Sequence, residues 1–240
     1  MRKSTNFIIL WSIIFVQNIS TAQNCNVFLY QKDTLQYEAC LIAEDAYQYY
    51  QYSREYQEIL DKAIEKCPHF SFAYRNKSTA YLKSGDFITW KYLIDKAVEY
   101  DFRENIGYRG WCKFQFFRDY QGAIDDIEAL EAVSKGNIGY SAGGQYHLKV
   151  AKALCYKQLG NIDKAITQLN LQTTQNNLAE NQYYLALCHQ KMGNTHLFTT
   201  HITKAKVMYL RNQKMIFHYT EPIDRIYLEE IDKALSLPTK

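Results

Sequence analysis

The sequence is poor in the residues that bend or break a chain. Its 240 residues include only 10 glycines and 3 prolines, too few for a collagen-like, linker-rich or turn-dense all-β protein. Charged residues make up 22% and apolar residues 47%. These values are close to the globular average and argue against wholesale disorder. The residue in excess is tyrosine, with 21 copies beside 12 phenylalanines.

Common motifs of nucleotide binding and metal chemistry are also missing. The chain has no H-E-x-x-H, G-x-x-x-x-G-K or G-x-G-x-x-G pattern, and no pair of cysteines is spaced C-x-x-C. His189, His196 and His201 lack the i, i+4 spacing that puts two ligands on one helical face. We therefore predict no catalytic residues, no cofactor and no metal site, and an enzyme is the least favoured class.

The N-terminus is typical of a secretory signal. A basic start at Arg2 and Lys3 precedes an apolar run over 7–16, and small residues lead up to Ala22. The run is too short for a bilayer, which needs about 20 residues. We predict a signal peptide over 1–22, cleaved after Ala22, and an exported protein that is periplasmic, outer-membrane-associated or secreted. An uncleaved anchor helix is the alternative.

Charge argues against nucleic acid as a partner. Removal of the signal leaves 26 basic and 25 acidic residues, a net charge of +1, without the basic footprint that phosphate backbones require. No later segment approaches transmembrane length, so no integral membrane span is expected after cleavage.

The cysteines divide into two groups. An exported chain permits disulfides, and Cys25 on the N-terminal segment is expected to pair with Cys40 or Cys67, if it pairs. Cys112, Cys155 and Cys188 each lie within a helical apolar pattern, which predicts small buried hydrophobic side chains.

A pattern recurs about every 34 residues. Gly85, Gly160 and Gly193 each follow an apolar helix and precede Asp or Asn and a second helix. Glycine suits the left-handed turn at the end of the first helix, and Asp86, Asn161 and Asn194 suit the start of the next. The same spacing puts the turns of two further units at Arg118 and Gln51.

The second helices carry their own recurrence. Small residues recur five and twelve positions after the turn, with bulkier residues at the same positions in some units, which predicts close packing of paired helices. The first position holds Tyr56, Trp90, Ala123, Ala165 and Phe198, and the second holds Ala63, Ala97, Leu130, Gln172 and Ala205.

At these positions the chain resembles the tetratricopeptide-repeat (TPR) family. The resemblance implies an all-α fold, a right-handed superhelical α-solenoid of antiparallel helix pairs. About five repeats would occupy 37–206, after an N-terminal extension over 23–36. A capping segment over 207–240 would contain a helix from Ile223 to Leu235. An insertion at about 131–145 is either a loop over the groove or a lengthened connection.

The resemblance also implies a concave groove lined by the first helix of each repeat. The residues that match groove positions mix positive charge with aromatic rings, and among them Arg75, Lys83 and Arg109 are expected to face a carboxylate. The partner-binding candidates are Arg75, Asn76, Thr79, Lys83, Tyr108, Arg109, Phe116, Lys157, Tyr183 and Tyr184.

Two functions follow from these features. The first is a non-catalytic interaction module or scaffold that binds a peptide or segment of another protein in the groove, outside the cytoplasm. The alternative is binding of a glycan or small ligand through a tyrosine-rich surface. The glycan or small-ligand alternative becomes less favoured if most of five aromatic residues of the repeats point into the core between helices. The five are Tyr47, Tyr81, Phe114, Tyr120 and Tyr156.

Overall fold

The computed structural model describes residues 24–140, 147–215 and 225–236. Over these ranges the chain is helical, as predicted, and has no β-strand, only an isolated bridge between Tyr140 and His147. The predicted signal peptide lies outside the described residues. The chain divides into two compact units, with the boundary between Cys67 and Pro68.

The described part of the first unit, from residue 24 onward, contains three α-helices and a 3₁₀ turn. They are α1 (Asn26–Tyr30), α2 (Thr34–Glu44), the turn Asp45–Gln48 and α3 (Arg54–Lys66). α2 and α3 pack against each other. A disulfide joins Cys25 to Cys40 and so ties the start of α1 to α2, which decides between the two predicted pairings.

The described part of the second unit contains the remaining helices, of which the first eight form four successive pairs. They are α4 (Ser71–Ser84), α5 (Phe87–Tyr100), α6 (Phe102–Cys112), α7 (Tyr120–Val133), α8 (Leu148–Gln158), α9 (Ile162–Gln175), α10 (Ala179–Lys191), α11 (Thr195–Leu210) and α12 (Leu228–Ser236). A π-helical turn over Lys113–Phe117 extends α6. Each pair packs internally and against the next pair along the chain.

The predicted turn positions are left-handed in four of the five pairs. Gly85, Gly160 and Gly193 have φ of +87°, +81° and +72°, and Arg118 has φ of +54°. This conformation lets the chain leave a helix sharply, and it carries no steric cost for glycine. Gln51 is not left-handed. The first pair instead uses the 3₁₀ turn and a longer connection to α3.

The predicted helix starts are confirmed in all three cases, and two of the three side chains make a capping hydrogen bond. Asp86 accepts a hydrogen bond from the backbone N–H of Thr89 at 3.1 Å, and Asn194 accepts one from Leu197 at 3.1 Å. Asn161 occupies the same position, directly before α9, but its side chain makes no capping hydrogen bond.

Close helix packing agrees with the predicted pattern. In the second helices, the residues five and twelve positions after the turn are all buried, whether their side chains are small or bulky. Two glycines of α6 also permit close approach, since a Cβ on Gly107 would lie 2.8 Å from Leu130 and one on Gly110 would lie 3.0 Å from Asp126. Cys112, Cys155 and Cys188 are buried as predicted.

The aromatic residues are divided between core and surface. Phe114 and Tyr156 are buried, Tyr81 and Tyr120 are half-buried, and Tyr47 is exposed. The repeat aromatics therefore do not all point into the core.

The C-terminal helix packs against the last pair. α12 contacts α11, Lys206 pairs with Asp232 at 2.7 Å, and Ile231 is buried. α12 begins at Leu228, later than the predicted start at Ile223, which lies outside the described residues.

Candidate functional site

A cavity of about 490 Å³ lies beside first helices of the second unit. α4 contributes Arg75, α6 contributes Tyr108, and α8 contributes Leu148. Residues 137–140, which follow α7, complete the wall. The described part of the insertion therefore borders the cavity, which favours a loop beside the groove over a simple lengthened connection.

Arg75 and Tyr108 form the polar centre of this cavity. The Arg75 guanidinium lies 4.6 Å from the centroid of the Tyr108 ring, a cation–π contact. The Tyr108 hydroxyl is 3.4 Å from the Thr79 hydroxyl, and burial raises the pKa of the phenol, so it stays protonated. Within the described residues Arg75 has no carboxylate partner.

Several contacts hold the wall of the cavity in place. Arg103 donates a hydrogen bond to the carbonyl of Val133 at 2.6 Å, and the N–H of Leu148 donates to the carbonyl of Gly139 at 3.1 Å. The Tyr140 ring packs edge-on against His147, with centroids 5.1 Å apart. These contacts fix the described end of the insertion to the start of α8.

His147 is neutral at physiological pH. Its Nδ1 accepts a hydrogen bond from the backbone N–H of Lys149 at 3.2 Å, a role that only the unprotonated nitrogen can fill. Burial lowers the pKa of His147 to about 4, and the charge of Lys149 adds to this effect.

Arg109 does not belong to this cavity. Its Nε and Nη2 donate to the two carboxyl oxygens of Asp126 at 2.9 and 2.7 Å, and its Nη1 donates to Asp95 at 2.8 Å. Lys113 also pairs with Asp126 at 2.9 Å. The guanidinium therefore lies in an ionic cluster that joins α5, α6 and α7. The Arg109 charge is thus already paired within the chain, and its predicted role in binding a partner stays a prediction.

Three other predicted groove residues do not line this cavity. The Asn76 side chain donates to the carbonyl of Phe72 at 2.9 Å, one turn back in its own helix. Lys83 and Phe116 are exposed and do not line the cavity. Their roles in binding stay predictions.

The remaining predicted residues form a separate cluster between α8 and α10. The Lys157 amine lies 6.0 Å from the ring centroid of Tyr184, and the rings of Tyr183 and Tyr184 meet edge-on with centroids 5.4 Å apart. Tyr184 is buried and Tyr183 is half-buried. The structure does not bring this cluster into the cavity that contains Arg75.

Sequence reasoning missed the residues that the insertion and its neighbours contribute. Arg103, Ser134, Asn137 and Tyr140 all line the cavity. The available signal was the concentration of glycines in 136–144, which marks an irregular segment between regular repeats.

The sequence also contains one catalytic pattern that the prediction of no enzyme left out. Residues 139–143 read G-Y-S-A-G, which has the spacing of a serine hydrolase elbow. That motif requires the serine to sit between a strand and a helix. Ser141 lies outside the described residues, and the described residues before it form no strand, so the pattern lacks the preceding part of its required context.

The helix pairs, their left-handed turns and their order define a protein with the tetratricopeptide-repeat fold. Solved structures with a similar fold include YrrB and PilW. The crystal structure of YrrB, "a TPR protein with an unusual peptide-binding site", has a TM-score of 0.55 and 14% identity, and the match covers 78% of this chain and 93% of that one. The structure of PilW, a "widely conserved type IV pilus biogenesis factor", has a TM-score of 0.53 and 12% identity, with 89% and 84% covered.

Comparisons of sequence add nothing to this result. No family model matches the chain, and no curated protein matches it. Within the described ranges no helix has the length and apolarity to cross a membrane. In the same ranges no three His, Cys, Asp or Glu side chains are grouped to hold a metal ion.

Proposed function

We propose that the protein is a non-catalytic interaction module that binds an extended segment of another protein along the first helices of the second unit. The cavity beside Arg75 and Tyr108 is the centre of this site. We further propose that the protein acts outside the cytoplasm, after export by the signal over residues 1–22. The basic start, short apolar run and small residues of that segment support this localisation.

The observation that carries the proposal is the environment of Arg75. A guanidinium stacked on a tyrosine ring is held in one orientation, and its N–H groups remain available to an acceptor. A carboxylate is the group that such a fork binds best, through two parallel hydrogen bonds. The proposed ligand is therefore a peptide segment with an acidic side chain or a terminal carboxylate.

The fold supports the same conclusion. Stacked helix pairs expose a continuous row of first helices, which suits an extended segment better than a compact small molecule. YrrB, a protein of this fold, has a peptide-binding site. We extend peptide binding to this chain as part of the proposal.

Selection of ligands from a random peptide display library tests the proposal. We expect the enriched peptides to carry a carboxylate, and Arg75→Glu to weaken their binding by at least about tenfold. The matched control is Lys204→Glu, a charge reversal at an exposed position of α11. Equal affinity for wild type and Arg75→Glu, measured by calorimetry, would argue against the site.

A run of exposed tyrosines in the first unit favours the alternative function, glycan binding. Tyr47, Tyr49, Tyr50 and Tyr52 lie between α2 and α3, and Tyr50 is 73% exposed. Rings at the surface are suited to stacking on the apolar faces of sugars. A glycan array separates the two functions, since glycan binding would be lost with Tyr50→Ala and unaffected by Arg75→Glu.

A further inference from the structure

The cavity beside Arg75 also carries a negative charge. Glu104 lines it from the first turn of α6, four residues before Tyr108. Residues four apart in a helix lie on the same face, about 6 Å apart along the axis. Because the Arg75 guanidinium stacks on the Tyr108 ring, the positive group lies beside one turn of α6 and the negative group lies on the turn before it.

The Glu104 carboxylate is exposed, and in the described ranges it forms no ion pair. Arg103, its neighbour in α6, also lines the cavity but donates to the carbonyl of Val133. Residues 141–146, which follow Tyr140 in the chain, read S-A-G-G-Q-Y and include no charged residue. They therefore supply no charge that could neutralise Arg75 or Glu104.

An apolar part of the wall lies next to Glu104. Gly107, three residues further along the same face of α6, has no side chain, and a Cβ there would lie 2.8 Å from Leu130 and 2.9 Å from Leu148. Both leucines line the cavity, as does Ile138. The methylene stem of a lysine or arginine packs on apolar surface while its charged end reaches a carboxylate. These surroundings therefore fit a long basic side chain of a ligand.

The spacing of the two charges corresponds to that of an extended peptide. In such a segment, side chains two positions apart point the same way and lie about 7 Å apart. One turn of α6 extends over about 5 Å. An acidic side chain at Arg75 and a basic side chain at Glu104 can therefore come from one segment, with a single residue between them.

We infer that the partner segment contains an acidic and a basic residue two positions apart. The acidic group binds Arg75, and the basic group binds Glu104 with its stem on Leu130 and Leu148. This inference rests on the proposed function, because it assigns a second determinant to the same site. A segment with acidic groups at both positions would place one of them against Glu104, and the repulsion would select against it.

Titration of the ¹⁵N-labelled full chain with capped pentapeptides tests this inference. The mixed-charge probes are acetyl-Gly-Asp-Ala-Lys-Gly-amide and acetyl-Gly-Lys-Ala-Asp-Gly-amide, one for each direction of the segment. Each is compared with the peptides in which Gln or Glu replaces Lys. We expect the tighter mixed-charge probe to bind at least about threefold more strongly than its Gln counterpart, and its Glu counterpart to bind most weakly.

Charge reversal at Glu104 changes the expected order of affinities. With Glu104→Lys, the two-acid peptide should bind more strongly than the mixed-charge peptide, whereas a defect of folding would weaken every peptide alike. Because Glu104 is exposed, the variant should keep its helical circular dichroism. Glu65→Lys is the matched control, a reversal at an exposed position of α3 that does not line the cavity, and it should leave the order unchanged.

The peptides with Gln separate this inference from the proposed function, since their only charge is the acidic group. Arg75→Glu should weaken their binding. If it does, but Glu104→Lys leaves the order of affinities unchanged or the Gln peptides bind as strongly as the Lys peptides, the inference is overturned and the proposed function stands. If Arg75→Glu leaves the Gln peptides unaffected, or no peptide binds, the proposed function fails and the inference fails with it.

Discussion

Arg118 has a side chain at the turn position where three other helix pairs have glycine. A left-handed conformation costs an L-residue with a Cβ about 1–2 kcal/mol, whereas glycine adopts it freely. Arg118 has φ of +54°. The third pair of helices therefore carries a local strain that the other turns lack.

Arg118→Gly is predicted to raise the free energy of unfolding by about 0.5 kcal/mol, because relief of strain exceeds the added entropy of the unfolded chain. The reverse change, Gly85→Arg, should lower it by about 1 kcal/mol, since a Cβ there meets open space and only the backbone resists. Urea unfolding of both variants measures the difference. A loss of stability in Arg118→Gly would contradict the assigned backbone strain.

Arg109 stabilises the fold through its ion pairs in the cluster around Asp126. Asp126 is buried, and removal of a partner from a buried pair costs about 3–5 kcal/mol because the remaining charge is uncompensated. When Arg109 is removed, Lys113 still compensates part of the charge of Asp126. Arg109→Ala is therefore predicted to destabilise the fold by about 3 kcal/mol.

Lys91→Ala is the control for this prediction. It removes a cation from an exposed pair with Asp95, and should cost no more than about 0.5 kcal/mol. Chemical unfolding measures how much each variant, Arg109→Ala and Lys91→Ala, lowers the free energy of unfolding. Equal decreases would contradict a buried cluster. A charge reversal at Arg109 reports on folding and says little about ligand binding.

The position of Arg109 shows what the sequence could not reveal. Its repeat position assigns it to the groove, but its partners Asp95 and Asp126 lie 14 and 17 residues away in other helices. No i, i+4 pattern marks such a pair, because it depends on how α5 and α7 pack around α6. Arg75 has the same kind of signal in the sequence and does face a cavity.

At the scale of helices, the turn glycines predicted most of the boundaries between the first and second helix of a pair. Gly85, Gly160 and Gly193 each end a first helix because only the left-handed conformation closes the turn there. The prediction failed where no such residue marks the end. Gln51 is followed by a connection of a different kind, and the start of α12 carries no comparable signal.

The interface between α10 and α11 contains a pair of stacked histidines. The rings of His189 and His201 lie 5.4 Å apart and are nearly parallel, and His201 Nδ1 is 2.8 Å from the side-chain oxygen of Gln182. Burial lowers the pKa of both histidines, and for His201 the charges of His189 and Lys204 lower it further.

This interface is predicted to weaken on acidification. A histidine with a lowered folded pKa binds protons more readily in the unfolded chain, so stability falls as the pH drops below the unfolded value of about 6.5. His189→Tyr places the aromatic residue that other repeats use at that position, and should reduce the loss between pH 7 and pH 5. His196→Gln, at an exposed position, is the control. Identical pH profiles of unfolding for wild type and His189→Tyr would contradict the prediction.

At the scale of the molecule, the sequence predicted the stacking of helix pairs because the period is repeated several times. The size and wall of the cavity were not predictable in the same way. They depend on residues 137–140, which belong to no repeat and pack through single contacts such as that of Tyr140 with His147. Irregular segments of this kind carry no periodic signal.

The role of α12 as a terminal cap is a prediction about the whole stack. End repeats of a solenoid expose an apolar face unless a polar-faced helix covers it. Ile231 is fully buried on α12, so Ile231→Asp should lower the unfolding midpoint and cause self-association in sedimentation experiments. Glu229→Lys, at an exposed position of α12, should do neither. A monomeric Ile231→Asp variant with an unchanged midpoint would show that α12 is dispensable.

Photo-crosslinking in the native host tests the proposed binding site most directly. Benzoylphenylalanine at Tyr140, which lines the cavity, should capture one protein partner, and the adduct should disappear when Arg75→Glu is added. The same group at Leu171, an exposed position of α9 outside that cavity, should capture none. Equal adducts from both positions, or an adduct from Tyr140 that persists with Arg75→Glu, would contradict binding of a partner beside Arg75 and Tyr108.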